Sequence, residues 1–405
     1  MFYALTSIFV VALLATYIIS KIIFKEKREK FNLVINKALK ISVIVYCTII
    51  FLTILLPDSF VLCYLENELS LTSNERSYAI IRWFSTLSFI ILPLAVFFKN
   101  RTIRNIAIYF CTIITIVSIC FYNTHLEYLT SADGHGLNSI EVINNNLKNF
   151  LINPTFRSII LGLTLGLEFI IPVILAIEEK HVFNFKSYKE YINFFLVLIF
   201  TLISCIPIYV PQHLFGLSNI LFKAWSIPHF IWLILVAVEI VVLYFIFKNK
   251  NFEIKRIVCF VLSLSLLIQY FQMFGSITIN LTRLPLQLCN LAAFLILFSF
   301  ISKNQKLFNF TVIVNVVGVL FALAMPDLDG EGLFYLYNMH FIFEHTNVLV
   351  IPILALLFKI FNRLDKKALK HYLIGFCIYF VSILILGTIF NAIYLKTQNN
   401  FYLIC

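Results

Sequence analysis

Five residues of the sequence, Cys289, Asn338, His340, Glu344 and His345, stand out as polar or nucleophilic groups within otherwise apolar runs. A cysteine thiol is a weak nucleophile until a neighbouring base takes its proton. A thiol paired with an imidazole suits acyl transfer: the sulfur attacks an ester carbonyl, holds the acyl group as a thioester, and passes it to an acceptor. Cys289 is the expected nucleophile and His345 the expected base. His340 and Glu344 lie four apart, the spacing at which helical side chains pair, and can orient the site. Asn338 and His345 lie seven apart and share a helix face. Arg283 and Gln287, also four apart, can join Asn338 in donating hydrogen bonds to an oxyanion. His229 is a second candidate base. With Asp327 and Asp329 of the acidic loop Pro326–Gly332, these residues make up the expected substrate-binding set: His229, Arg283, Gln287, Asn338, Asp327 and Asp329.

A plainer reading stands beside this one. A single cysteine in an apolar helix is usually a packing residue, and a histidine near a helix end is usually an interfacial anchor. Glu344 is harder to dismiss, because a carboxylate inside a membrane needs a partner. Packing alone also accounts poorly for two histidines, a glutamate and an asparagine within eight residues of a membrane helix. Glu168 and Glu239 lie in other apolar runs; Glu239 can pair with another helix, and Glu168 has no assigned role.

The elements that position these groups follow from composition. The chain has 405 residues, of which 61% are apolar and 13% charged. Soluble domains are about 45–50% apolar and about 25% charged, so too little polar surface remains to cover a water-soluble core. Backbone groups in lipid must be satisfied within their own segment, which makes the long runs helices. About 20 residues cross a bilayer. Such runs fall near 4–24, 41–63, 79–98, 105–122, 157–177, 191–210, 227–247, 257–275, 284–301, 307–324, 337–358 and 372–394. The expected fold is therefore an all-α polytopic membrane protein of about twelve transmembrane helices. On this reading Cys289 lies about 8 Å, and His345 about 12 Å, inside the starts of their helices. That is the depth of a phospholipid ester carbonyl in the outer leaflet.

The net charge of +11 does not point to nucleic acid, since the basic residues sit in short loops between apolar runs. Most of them fall in alternate loops (21–40, 99–104, 180–189, 248–256, 303–306 and 359–370), which places these loops inside and both termini outside. The first run lacks a preceding basic region and is not read as a cleaved signal peptide. The loop 123–156 is long and polar. The halves resemble one another. Arg82–Ser88, followed by Lys99–Arg101, parallels Arg283–Cys289, followed by Lys303–Lys306, and Ile171–Ala176 parallels Ile351–Ala355. Two parallel six-helix units are expected, 1–214 and 215–405. In the first, Ser88 falls where Cys289 lies, but Leu165 or a neighbour falls where His345 would be. The first unit reads as a degenerate copy.

Residues 215–405 resemble the YwaF-type bacterial integral membrane proteins, relatives of the eukaryotic integral-membrane acyltransferases that act on ether phospholipids. The likeness rests on Ser226–His229, on Leu284–Asn290, on Pro326-Asp327-Leu328, on His340–His345 and on the closing Asn400–Cys405. It implies six helices and acyl transfer to or from membrane lipids, with Cys289 as nucleophile and His345 as base. Related membrane lipid hydrolases keep hydrolysis open.

The expected function is thus a lipid acyltransferase. A membrane phospholipid would be the donor, and a lysophospholipid, a lipoprotein amine or water the acceptor. No cofactor, metal or nucleic-acid partner is expected, because no nucleotide-binding or metal-ligand motif occurs. The abundance of Ile, Lys, Asn and Phe suggests an AT-rich bacterial genome and hence the plasma membrane. Two rivals belong to other classes. One is a secondary transporter of two six-helix units, with Glu168 and Glu239 as coupling carboxylates; the other is a non-catalytic scaffold or sensor.

Overall fold

The computed structural model describes residues 2–50, 87–98, 100–120, 153–178, 188–206, 208, 215, 220–276, 288–326 and 332–398. All regular structure among them is helical. In chain order the helices are α1 (Phe2–Ile23), α2 (Arg28–Ile50), α3 (Leu87–Phe97), α4 (Arg101–Cys120), α5 (Pro154–Glu178), α6 (Tyr188–Ser204), α7 (Ile227–Phe247), α8 (Phe252–Ser276), α9 (Leu288–Ser302), α10 (Gln305–Ala324), α11 (Leu336–Leu357) and α12 (Lys366–Gln398). Eight of them, α1, α2, α4, α5, α7, α10, α11 and α12, are long and apolar enough to cross a membrane. The chain is a multi-pass membrane protein, as its composition requires.

Each predicted run overlaps one of these helices, but α2 corrects the placement of the second. The sequence reading put residues 21–40 in a loop and began a span at 41. The helix instead starts at Arg28. Its reason is amphipathic: Phe31, Leu39, Val43, Tyr46 and Ile50 bury one face, while Lys30, Lys37 and Lys40 stay exposed. Long basic side chains can sit on a helix that enters the membrane by reaching toward water. The end of that predicted run, 51–63, lies outside the described residues, as does most of the loop 123–156.

The chain divides into two compact units. The first comprises Met1–Leu217 and Phe271–Thr278. Its central helix is α5, which packs against α1, α2 and α4, while α6 packs on α4. Gly166 of α5 lets α1 approach: a Cβ there would stand 2.7 Å from the Phe9 ring. At the far end of the pair, Lys21 Nζ lies 3.1 Å from Glu178 Oε1, and the Tyr17 hydroxyl donates to the same carboxylate.

The second unit comprises Ser218–Tyr270 and Ile279–Cys405. Here α11 packs against α7, α9 and α10, and α10 also carries α12. Gly375 of α12 meets the ring of Phe310 on α10, where a Cβ would stand 2.5 Å from the nearest ring carbon. At one end of the unit the side chain of Gln305 is tied to the Asn362 backbone, accepting from its N–H at 2.9 Å, and Phe308 stacks on Phe361. At the other, Leu333 N–H donates to Ile220 O at 2.9 Å, joining the residues before α11 to those before α7.

Candidate functional site

The fifth helix of the second unit, α11, carries the densest polar group among the described residues. His340, Glu344 and His345 are all buried, with exposures of 4, 2 and 6%. A carboxylate enclosed to that degree needs charge-assisted partners, and two are present. His340 Nε2 lies 3.3 Å from Glu344 Oε2, one helical turn back. The Asn290 amide, with its nitrogen turned to the carboxylate, donates to Glu344 Oε1 at 3.1 Å and to Oε2 at 3.3 Å. The hydrogen-bond network sets that amide orientation. Asn290 belongs to α9 and follows Cys289 directly, and the Cys289 sulfur stands 3.8 Å from the same amide. Glu344 is thus the hub that holds the start of α9 to α11.

His345 is oriented by its own helix. Its Nδ1 lies 2.9 Å from Phe341 O. A carbonyl can only accept, so Nδ1 carries the proton and Nε2 carries the lone pair. The ring also packs on Phe341 at 4.0 Å between centroids. His345 lies within electrostatic range of Glu344, as does Cys289. The structure therefore gathers Cys289, His340 and His345 around the Glu344 carboxylate. Cys289 is only partly buried, whereas the other members are enclosed.

His229 is placed differently. It is fully buried on α7. Trp225 adopts a left-handed backbone conformation, with φ 63°. This turn directs its N–H to His229 Nδ1 at 2.9 Å. The other nitrogen, Nε2, then donates to Leu323 O at 2.7 Å. With both ring nitrogens committed to backbone, His229 has the environment of a residue that fixes the start of α7. It connects to the site through aromatic packing: Trp232 lies beside His229, contacts Phe341, and donates from its indole N–H to Thr346 Oγ1 at 2.8 Å. Asn338, buried at 1%, donates from Nδ2 to Gly332 O at 3.0 Å and secures the turn before α11. Arg283, Gln287, Asp327 and Asp329 lie outside the described residues. Glu239 is half-buried on α7, with no hydrogen-bond or ion-pair partner among the described residues.

Three residues at the site escaped the sequence reading as candidates. Asn290 closes the stretch Leu284–Asn290, but its role emerges only when α9 meets α11. Tyr270 of α8 lies within electrostatic range of Glu344 and Cys289, and Tyr379 of α12 within range of Cys289. Neither tyrosine has a spacing relation to the motif that could have marked it.

The first unit holds a second buried carboxylate. Glu168 of α5, at 2% exposure, accepts from Ser88 Oγ of α3 at 2.5 Å. The fully buried Tyr46 of α2 and the thiol of Cys111 on α4 lie within electrostatic range of it. Ser88 is itself completely buried. Leu165, the residue set opposite His345, packs against Ile119 and Leu161.

Residues 224–405 match the model of the TMEM164 family, a family of membrane proteins. The match lies within the stretch for which the sequence reading found its YwaF-type likeness. No curated protein and no solved structure matches the chain.

Proposed function

We propose that the second unit transfers an acyl group from a membrane lipid through a thioester on Cys289. The observation that carries this reading is the shared carboxylate: Glu344 stands among Asn290 beside Cys289, His340 and His345. His345, with its lone pair on Nε2, takes the Cys289 proton. The sulfur attacks the ester carbonyl carbon, the carbon–oxygen bond to the glycerol breaks, and the departing alkoxide takes the proton back from His345. An acceptor hydroxyl or amine then gives its proton to His345 and attacks the thioester, returning Cys289 to the thiol. Glu344 supports the transient imidazolium, and His340 and Asn290 hold the carboxylate in place. His229 and Asn338 act as positioning residues. Arg283, Gln287, Asp327 and Asp329 are the proposed headgroup and oxyanion contacts. The YwaF-type likeness favours a phospholipid donor, with a lysolipid or lipoprotein as acceptor; water in that role would make the protein a hydrolase.

The topology belongs to the same proposal. Counting α3, α6, α8 and α9 with the eight long helices gives twelve spans in two repeated units. The basic loops then lie inside, the termini outside, and the site faces the outer leaflet of a bacterial plasma membrane.

The test incubates detergent-purified protein with phospholipid labelled in its acyl chain. Wild type should acquire label that hydroxylamine releases, Cys289→Ala should acquire none, and His345→Ala should acquire it on the order of 10²–10⁴-fold more slowly, as expected for loss of a general base. Label on Cys289→Ala equal to wild type would remove the thioester mechanism.

A further inference from the structure

A groove of about 930 Å³ runs along the second unit between α9, α10 and α12. Its volume lies in the upper range of small-molecule sites. Its two ends differ in chemistry. At one end stand Lys306, Lys367, Lys370 and His371, with Asn304 beside them and no acidic side chain among the described residues of the lining. Beyond them the walls are aliphatic and aromatic, from Leu295 and Phe310 to Ile378 and Leu386. From Lys370 to Leu386 the helix rises roughly 24 Å. The chain region of one leaflet is about half of a ~30 Å core, so an acyl chain fits lengthwise.

We infer that this groove binds an anionic phospholipid, its phosphate held by Lys306, Lys367 and Lys370 and an acyl chain lying along α12. Three arguments support that occupant. The cations are confined to one end of an otherwise apolar channel, which matches an amphiphile and not a free anion. Basic pockets between helices on the cytoplasmic side suit anionic headgroups, and these residues belong to the basic loops 303–306 and 359–370 or to the helix turns beside them. The N-terminus of α10 opens at the same end and adds partial positive charge, whereas that of α12 is capped by the Asp365 carboxylate, which accepts from Ala368 N–H at 2.9 Å. His371 is set in place by Asn309, whose Nδ2 lies 3.2 Å from its Nδ1, and Gln305 pins the loop that carries Asn362. The end is therefore built before lipid arrives.

The site is distinct from the acyl-transfer centre. Ser302, at the end of α9 beside Asn304, lies roughly 20 Å along the helix from Cys289, so an ester held near the lysines is out of reach of the thiol. The far, apolar end approaches the thiol, where Leu291, two residues after Cys289, and Tyr379 line the wall. The lipid is accordingly a bound regulator or structural partner, and the inference stands whether or not Cys289 is acylated.

The experiment is native mass spectrometry of the full chain, purified from nanodiscs containing equal phosphatidylglycerol and phosphatidylcholine. Wild type should retain phosphatidylglycerol preferentially. The triple variant Lys306→Gln, Lys367→Gln, Lys370→Gln should lose that preference by about tenfold or more, as several-fold per cation implies. Ser382→Trp, which fills the apolar stretch without changing charge, should lower retention as well and keeps the test decisive if the triple variant does not fold. Cys289→Ala should retain lipid like wild type. Equal retention of the two lipids, unchanged retention in both groove variants, or displacement of the lipid by excess glycerol 3-phosphate would overturn the inference.

Discussion

Each unit buries a carboxylate on its fifth helix, and the two surround it differently. In each, the fifth helix packs on the first and the fourth, and the sixth packs on the fourth. In each, the third helix brings an oxygen or sulfur nucleophile toward a buried carboxylate of the fifth, and the second adds a tyrosine: Tyr46, Ser88 and Glu168 in one, Tyr270, Cys289 and Glu344 in the other. The difference lies in the imidazoles and the exposure. With Pro172 set on Pro352, Leu165 takes the place of His345, Thr164 that of Glu344, and Glu168 sits one turn deeper. Ser88 is fully buried against its carboxylate, and no histidine stands near it among the described residues. Cys289 is partly exposed, and two histidines stand around its carboxylate. A buried carboxylate alone therefore does not distinguish a working site from a packing device; the groups around it and access to the nucleophile do.

The largest effect should come from exchanging the equipment. His345→Leu copies the first unit's residue into the second and should reduce acyl labelling on the order of 10²–10⁴-fold, the contribution of a positioned base. Ser88→Cys in the first unit should create no hydroxylamine-sensitive label in a Cys289→Ala background. Label on the first unit of that double variant would break the comparison, because it would show that a thiol there needs no imidazole. A smaller loss, about tenfold to a hundredfold, should follow Glu344→Gln, which keeps the amide-sized shape and removes the charge that faces His340 and His345. Equal labelling by Glu344→Gln and wild type would reduce the carboxylate to a packing role.

Much of this was legible in the sequence, for physical reasons. The helices are legible because lipid forces continuous apolar runs. The cluster at Asn338–His345 is legible because four polar residues inside such a run have few explanations. The start of α2 was missed because its first turns are basic, and charge in a run reads as a loop until the face it leaves exposed is known. Asn290 was hidden because an asparagine beside a cysteine has no special meaning until a carboxylate from another helix arrives. Glu168 was visible as a costly residue, yet its partner Ser88 is eighty positions away, and no periodicity links the two.

Stability measurements test the first unit's half of the comparison. Ser88→Ala removes the donor from a fully buried carboxylate and should cost about 1–3 kcal/mol in detergent unfolding, the usual cost of stranding a buried polar group. Tyr46→Phe should cost less than Ser88→Ala, about 1 kcal/mol or less, since its hydroxyl interacts with Glu168 but without the close geometry of the Ser88 bond. Neither variant should alter acyl labelling of the second unit. A larger loss for Tyr46→Phe than for Ser88→Ala would reverse the order of importance around Glu168.

The smallest expected effects concern the glycines, where both units can be compared with an internal control. Gly166 and Gly375 each stand under an aromatic ring, Phe9 and Phe310, closer than a Cβ tolerates. Alanine at either should cost about 1–3 kcal/mol, the range for overpacking a close-packed contact. Gly318 and Gly387 have nothing within 4 Å of the place a Cβ would take. Alanine at those sites should be neutral or stabilising by up to about 1 kcal/mol, because it lowers the freedom of the unfolded chain. Thermal unfolding of the four single variants reads this directly. If Gly375→Ala behaves like Gly318→Ala, then Phe310 yields easily and α12 is not held closely to α10. The groove that those helices line with α9 would then be wider and less defined than the ring contact implies, and retention of the anionic lipid would have to come from the lysines alone.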